Sequence, residues 1–156
     1  MEFEFTEDGI QETLQAFVDV SRGLGETARA FVEDVTEHVA ERAQDNAPLW
    51  RYRLRPAIQA APVTASGDGF SGGVLVPEHI HWASIMHEQL QPWGSGPYNL
   101  GPISRTLPGT LEGGVGGKFI TRVVEVHKLQ YEQHLATAVL NLLQTRRAKR
   151  TFRFSP

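Results

Sequence analysis

Two long segments of this 156-residue chain repeat apolar residues at intervals of three and four, the spacing of one helix face. The stripe of the first segment is made by Ala28, Phe31, Val32, Val35, Val39 and Ala43. The second segment begins near Gly117 and should end near Gln144, and its stripe runs through Phe119, Val123, Val126/His127, Tyr131, Leu135, Ala138/Val139 and Leu142. Because amphipathic helices must bury their apolar faces, we expect these two to form the core pair of the fold.

The N-terminal region predicts further elements before the first of these helices. Residues 2–5 alternate Glu-Phe-Glu-Phe, which predicts a short strand. Helical spacing then places Ile10, Leu14, Phe17 and Val18 on one stripe. Gly23 and Gly25 predict the end of that helix, so we expect two separate N-terminal helices. Pro48 predicts the end of the second one.

The centre of the chain predicts a long β-hairpin. Residues 51–63 alternate loosely and predict an extended strand, interrupted at Pro56. The turn signal at 66–69 leads to a second strand over 70–76, in which Gly72 and Gly73 predict a bulge.

A short helix and a long loop follow the hairpin. Residues 79–89 predict the short helix, facing inward with Ile80, Ala83 and Met86 or with Trp82, Ile85 and Met86. Residues 91–117 are rich in glycine and proline and predict a long loop. We therefore predict one α+β domain over 1–145 with a basic tail at 146–156. Its small antiparallel sheet, the hairpin, packs against the long C-terminal helix and the N-terminal helices.

The charge of the chain is divided between its two ends. The net charge is −3, but up to Asn46 twelve acids face three bases (−9), and the remainder carries six acids and twelve bases (+6). Five of those bases lie in residues 146–156. The division predicts an acidic face and a basic tail, on one chain or between neighbouring copies. In a ring, the acidic helix face would meet the basic strand of Arg51, Arg53 and Arg55, or the basic tail, of the next subunit.

Composition excludes several kinds of site. With no cysteine, the chain forms no disulfide, thiolate zinc site or iron–sulfur cluster and has no cysteine nucleophile. Its acidic N-terminus does not resemble a signal peptide, and no apolar run is long enough for a membrane span. We therefore expect synthesis in the cytosol and no membrane partner.

The histidines are the strongest case for chemistry. His79, His81, His87 and Glu88 lie within ten residues, which fits either a zinc or manganese site or structural packing at a helix end. Their spacing is not that of a metalloprotease helix. Residues 113–118 resemble a phosphate loop but lack its length and hydroxyl residue. We predict no enzymatic activity, no cofactor and no metal, with the histidine alternative left open.

Three patterns, in order, resemble a known family. They are Ala43-Gln44-Asp45-Asn46-Ala47-Pro48 before a basic strand, Trp82-Ala83-Ser84-Ile85-Met86-His87-Glu88, and Gly116-Gly117-Lys118-Phe119-Ile120 at the start of the last helix. Together they resemble the neck and tail-completion proteins of long-tailed bacteriophages, described as minor capsid or tail-component proteins. The likeness spans about residues 28–143. The family's Thr-Gly-x-Leu element after Ala-Pro is replaced here by residues 49–54.

The resemblance implies a structural role in the virion, at the head–tail junction, after assembly in the host cytoplasm. It implies a homo-oligomeric ring, commonly six-fold, between the head connector or stopper and the tail terminator or tail tube. Genomic DNA would pass through the lumen without sequence-specific binding. A tail terminator that caps the tail tube is the alternative within this class, and a small metal- or nucleic-acid-binding protein is the alternative outside it.

Two segments are candidates for the subunit or partner interface. The 91–117 loop carries Trp93, Tyr98 and Leu100, which favour an arm to a neighbouring subunit over packing on its own domain. In the tail, the candidate residues are Arg146, Arg147, Arg150, Phe152 and Phe154. Two large apolar groups favour docking on a partner protein over DNA contact or disorder. We accordingly expect loss of the tail to impair assembly more than folding.

Overall fold

A computed structural model describes residues 7–49, 53–67, 69–77, 79–80 and 82–154 of the chain. The fold is α+β, with two long helices and small two-stranded sheets, as predicted. Its elements are α1 (Glu7–Asn46), α2 (Leu54–Ala57), β1 (Gln59–Ala60), β2 (Thr64–Ser66), β3 (Gly69–Ser71), β4 (Val74–Leu75), α3 (Trp82–Gln89), β5 (Leu90–Gln91), β6 (Tyr98–Asn99), α4 (Pro102–Arg105) and α5 (Thr121–Thr145). The strand expected at residues 2–5 lies outside the described residues.

The N-terminal region forms one helix, so the prediction of two helices separated at Gly23 and Gly25 is wrong. α1 runs without a break for 40 residues, which is about 60 Å at 1.5 Å per residue. Gly23 is buried where α1 meets α5, and a Cβ on it would lie 2.6 Å from Leu142 Cδ1. The glycine therefore permits close helix packing there instead of ending the helix.

α5 packs antiparallel along the C-terminal two-thirds of α1. Val123 near the start of α5 shares a cluster with Val39, whereas Leu142 near its end lies against Gly23. The buried stripe of α5 contains Val123, His127, Tyr131, Ala138 and Leu142. This is the predicted core pair, and α5 begins four residues later than Gly117 and ends at Thr145.

The hairpin is present but shorter and less regular than predicted. β2 pairs with β3 across the turn at Gly67, and β1 pairs with β4 further down, all antiparallel. The two registers differ by one residue, because three residues (61–63) separate β1 from β2 and two (72–73) separate β3 from β4. The bulge predicted at Gly72 and Gly73 is therefore present, but its extra residue lies in the first arm.

Residues 51–63 are not one strand. Residues 51–52 lie outside the described residues, Leu54–Ala57 form one helical turn, and only Gln59–Ala60 are strand in this segment. Pro56 is tolerated in that turn because the first N–H groups of a helix have no intrahelical partner. Leu54 in this turn and Ile58 just after it both lie in the core beside Ala47, and both are fully buried.

Close approach fixes the hairpin on α1. A Cβ on Gly72 would lie 2.9 Å from Val32 Cγ1 of α1, so only glycine fits this crossing without a shift. A second core cluster lies beneath the hairpin, where Ile80, Ala83 and Phe119 pack against the end of α1. Ile80, Ala83 and the half-buried Met86 are the first of the two inward sets predicted for the short helix.

Candidate interaction surfaces

The C-terminal tail docks on α1 of its own chain. Lys149 N–H donates to Thr27 Oγ1 at 3.0 Å, and Arg150 Nη2 donates to Glu26 Oε2 at 3.3 Å. The Phe152 N–H donates to the carboxylate of Asp34. The basic tail therefore pairs with the acidic face of α1 within one chain, and docking of the tail on a partner protein stays a prediction.

Aromatic packing explains why the tail is held. Phe152 is 7% exposed and meets Phe31 edge to face, with ring centroids 5.1 Å apart. Phe154 meets Tyr131 at 4.9 Å and His38 at 5.3 Å. These rings bury the apolar side of the tail, whereas its cations Arg146, Arg147, Lys149, Arg150 and Arg153 stay exposed.

Phe154 closes a cluster of histidine and tyrosine side chains between α1 and α5. His38 and His127 meet edge to face at 4.8 Å, and His38 Nδ1 lies 2.7 Å from the Tyr131 hydroxyl oxygen. The His134 ring also meets the Phe154 ring, with centroids 5.3 Å apart. Burial raises the pKa of the Tyr131 phenol to about 12, so it stays a neutral hydrogen-bonding group at physiological pH.

The two described arginines of the predicted basic strand, Arg53 and Arg55, differ in exposure and in contacts. Arg51 lies outside the described residues, and Arg53 is exposed. Arg55 Nε donates to the carbonyl oxygen of Ala47 at 2.8 Å, just beyond the C-terminus of α1. Burial lowers the pKa of its guanidinium, and nearby Asp45 opposes that shift. Arg55 thus satisfies a helix end inside the chain, and only Arg53 remains as a described surface cation of this strand.

The 91–117 loop folds onto its own domain, so the predicted extended arm is not observed. It contains β6, which pairs in parallel with β5, and the short helix α4. Buried Leu111 and Val115 anchor its second half. Among the candidate residues, Trp93 and Tyr98 remain half exposed and Leu100 is partly buried.

Asn46 and Arg122 hold this loop, and sequence reasoning assigned neither this task. Asn46 Nδ2 donates to Thr110 Oγ1 at 2.7 Å, and its Oδ1 accepts from the N–H groups of Thr110 and Leu111 at 3.1 and 3.0 Å. Arg122 donates to the carbonyl oxygens of Gly114 and Glu112, and its guanidinium carbon lies 4.3 Å from the Trp93 ring centroid. Desolvation lowers the pKa of Arg122. Asn46 lies in one of the quoted patterns, whereas nothing in the sequence distinguished Arg122.

The second and third sequence patterns meet at the start of α5. Lys118 N–H donates to the carbonyl oxygen of His87 at 2.6 Å, and Lys118 Nζ pairs with the carboxylate of Glu88. His87 Nδ1 lies 2.6 Å from Glu88 Oε1, and its ring meets Phe119 edge to face at 5.0 Å. Hydrogen bonds from Lys118 and His87 lower the pKa of the Glu88 carboxyl.

This arrangement fits structural packing better than metal ligation. His87 and Glu88 are already engaged with each other and with Lys118, His79 is exposed, and His81 lies outside the described residues. Among the residues that the structure describes, no three histidine, aspartate or glutamate side chains form a group able to hold a metal ion. Because Lys118 pairs with Glu88, the glycine-rich segment that precedes Lys118 leads into a structural ion pair.

The first pattern joins the same region. Gly116 N–H donates to the carbonyl oxygen of Asn46 at 3.1 Å, and Gly117 N–H donates to that of Pro92 at 3.2 Å. The three quoted patterns thus converge where the end of α1, the end of α3 and the start of α5 meet. Beside them an open groove of about 410 Å³, lined by Val76, Ile80 and Phe119 among others, offers an apolar surface with Glu88 at its rim.

Several large apolar side chains remain exposed on the two long helices. On α1, Leu14, Phe17 and Val18 are exposed, with Phe17 at 70%. On α5, the exposed apolar residues are Val124, Val126, Leu129, Leu140 and Leu143, with Leu129 at 70%. Clusters of exposed apolar side chains on a helix are typical of interaction surfaces.

Comparison of the chain with protein-family models, with curated proteins and with solved structures gave no significant match. None of the helices in the described part of the chain is long and apolar enough to span a membrane.

Proposed function

We propose that this protein is a structural subunit of the head–tail junction of a long-tailed bacteriophage. In this role it is a neck or tail-completion protein that forms a homo-oligomeric ring between the head connector and the tail. Its lumen lets genomic DNA pass. The exposed apolar faces of α1 and α5 are the observation that carries the proposal, because they supply the surface that a subunit needs to associate with others.

The use of the three quoted patterns supports this role. Their polar residues, among them Asn46, Glu88 and Lys118, are engaged in hydrogen bonds and ion pairs that fix helix ends and the long loop. Such engagement fits a scaffold, in which the sequence pattern preserves a shape. A catalytic role would instead require polar groups held ready for a substrate.

The distribution of charge supports passage of DNA over binding to it. The acidic face of α1 keeps much of its charge exposed, and one cation of the tail, Arg150, pairs with Glu26 of α1. Because affinity for DNA depends on cations placed at phosphates, this surface favours weak contact. An acidic amphipathic helix is likewise a poor match for anionic lipids, which attract basic ones.

Electron microscopy of the purified full-length chain over a range of concentrations tests the proposal. We expect closed rings with a central lumen, and loss of the rings in Phe17→Glu, because a carboxylate replaces an exposed apolar contact. Gln11→Glu adds the same charge at another exposed position of α1 and should leave the rings intact. A chain that stays monomeric throughout and retards DNA on a gel would contradict the proposal and favour a small nucleic-acid-binding protein.

A further inference from the structure

A pocket, the tail pocket, opens between α5 and the docked C-terminal tail. Its volume is about 490 Å³, within the range of about 300–1,000 Å³ that is typical of small-molecule sites. Six of its lining residues carry polar side chains: His134, Thr137, Asn141, Lys149, Thr151 and Arg153. The first three belong to α5 and the last three to the tail, so the pocket exists only while the tail is docked.

The tail is held so that alternate residues line this pocket. Lys149, Thr151 and Arg153 line it, whereas Arg150 pairs with Glu26 of α1. Backbone N–H groups of the tail donate to side chains of α1 and hold this arrangement. The pocket is therefore built by the folded chain and is not a property of a loose basic segment.

The positive charge of the tail pocket is not compensated. Among the residues that the structure describes, no aspartate or glutamate lines the pocket, and none forms an ion pair with Lys149 or Arg153. Asp34 of α1 accepts the Phe152 N–H and does not line the pocket. The Lys149 ammonium lies 5.9 Å from the Phe152 ring centroid. Both cations are therefore free to meet an anion.

Neutral polar groups complete the site. The Asn141 amide and the Thr151 hydroxyl form no side-chain hydrogen bond within the described part of the chain, whereas the Thr137 hydroxyl already donates to the carbonyl oxygen of Gln133. Two cations and two neutral donors suit an oxyanion with several acceptor oxygens. A phosphate monoester offers three such oxygens and up to two negative charges, whereas a carboxylate offers two oxygens and one charge. Phosphate therefore uses more of this site.

We propose that the tail pocket binds a phosphate group, which Lys149 and Arg153 hold with Asn141 and Thr151 as neutral donors. The inference does not depend on the ring-forming function proposed above. Free phosphate compounds and the DNA backbone both carry this group, and the experiment below separates them. One pocket per chain neutralises few DNA phosphates, so the inference agrees with the weak contact with DNA expected above.

Phosphorus-31 NMR of inorganic phosphate tests the pocket, because the phosphate line broadens when the ion binds a protein. The full-length chain is titrated at constant ionic strength, set with sodium chloride. We expect saturable broadening and, in Arg153→Gln, a dissociation constant raised about tenfold, because a charge-assisted hydrogen bond is lost. Asn141→Ala changes no charge and should raise the dissociation constant about threefold.

Matched variants separate a built site from a general attraction of the tail for anions. Arg147→Gln removes the same charge as Arg153→Gln, but Arg147 lines another groove, which it shares with Asp19 and Glu26, so binding should not change. Gln144→Ala, at an exposed polar residue of α5 outside the pocket, is the control for Asn141→Ala.

Equal losses in Arg153→Gln and Arg147→Gln would overturn the inference, and so would a line width that never saturates. Duplex DNA added to the phosphate-bound chain then separates the two sources. Narrowing of the phosphate line would support the pocket and assign it to the DNA backbone. A line that stays broad would support the pocket and assign it to free phosphate compounds.

Discussion

Replacing Phe152 by alanine should destabilise the protein, because the tail is part of its own fold. Phe152 is 7% exposed and lies in a cluster with Ala30 and Ala138, so its ring joins both long helices. Its edge-to-face contact with Phe31 is one that the tail alone supplies. A tail that served only to dock on another protein would make no such contribution.

The expected size follows from comparable core substitutions. Phe→Ala at buried positions costs about 3–5 kcal/mol, and an aromatic pair adds about 0.5–1.5 kcal/mol beyond the area it buries. Because the tail lies over the helices and can relax, we expect the lower end, about 3 kcal/mol. Phe17→Ala makes the same change at a side chain that is 70% exposed and should stay within about 0.5 kcal/mol of the parent.

Urea unfolding followed by circular dichroism measures the free energy of unfolding of both variants. One low protein concentration is used throughout, so that self-association does not differ between the samples. Trypsin supplies a second readout, because the tail carries five bases and is cleaved faster once it leaves α1. A loss below about 1 kcal/mol for Phe152→Ala, with unchanged cleavage of the tail, would refute the docking described here.

Three further predictions test the packing. Gly25→Ala should raise the free energy of unfolding by about 0.5–1 kcal/mol, because nothing lies within 4 Å of its new Cβ. Gly23→Ala should not give this gain, because its new Cβ would meet Leu142. Equal urea midpoints for the two variants would contradict the prediction. Asn46→Ala should cost about 3 kcal/mol by leaving buried N–H groups of the loop unpaired, and a loss under about 1 kcal/mol in the same assay would contradict it. Burial raises the pKa of Tyr131 in the folded protein to about 12, above the ordinary phenol value of about 10. The stability that the neutral phenol contributes is therefore fully present below about pH 10. It should be lost, by at most about 3 kcal/mol, as the pH rises towards about 12. Unfolding at several pH values should show this slope in the parent and in Tyr98→Phe but not in Tyr131→Phe.

The sequence predicted best those elements whose patterns are local. Three-four spacing located α5 and most of α1, and the turn signal at 66–69 located the hairpin. Local signals failed where a distant contact decided the outcome. Glycine costs a helix only about 1 kcal/mol, which the burial of Leu142 against Gly23 exceeds.

The interaction surfaces were harder to predict, because charge pattern does not say which chain supplies the partner. The acidic and basic ends do meet, but the meeting of Glu26 with Arg150 and of Asp34 with Phe152 is within one chain. The loop depended on Asn46 and Arg122, whose partners are backbone groups with no sequence signature.

Imaging of the purified chain at a concentration that saturates self-association tests the central claim most directly. The account predicts a closed ring with an open lumen. A compact particle without a lumen, or a chain that remains single at every concentration, would contradict it.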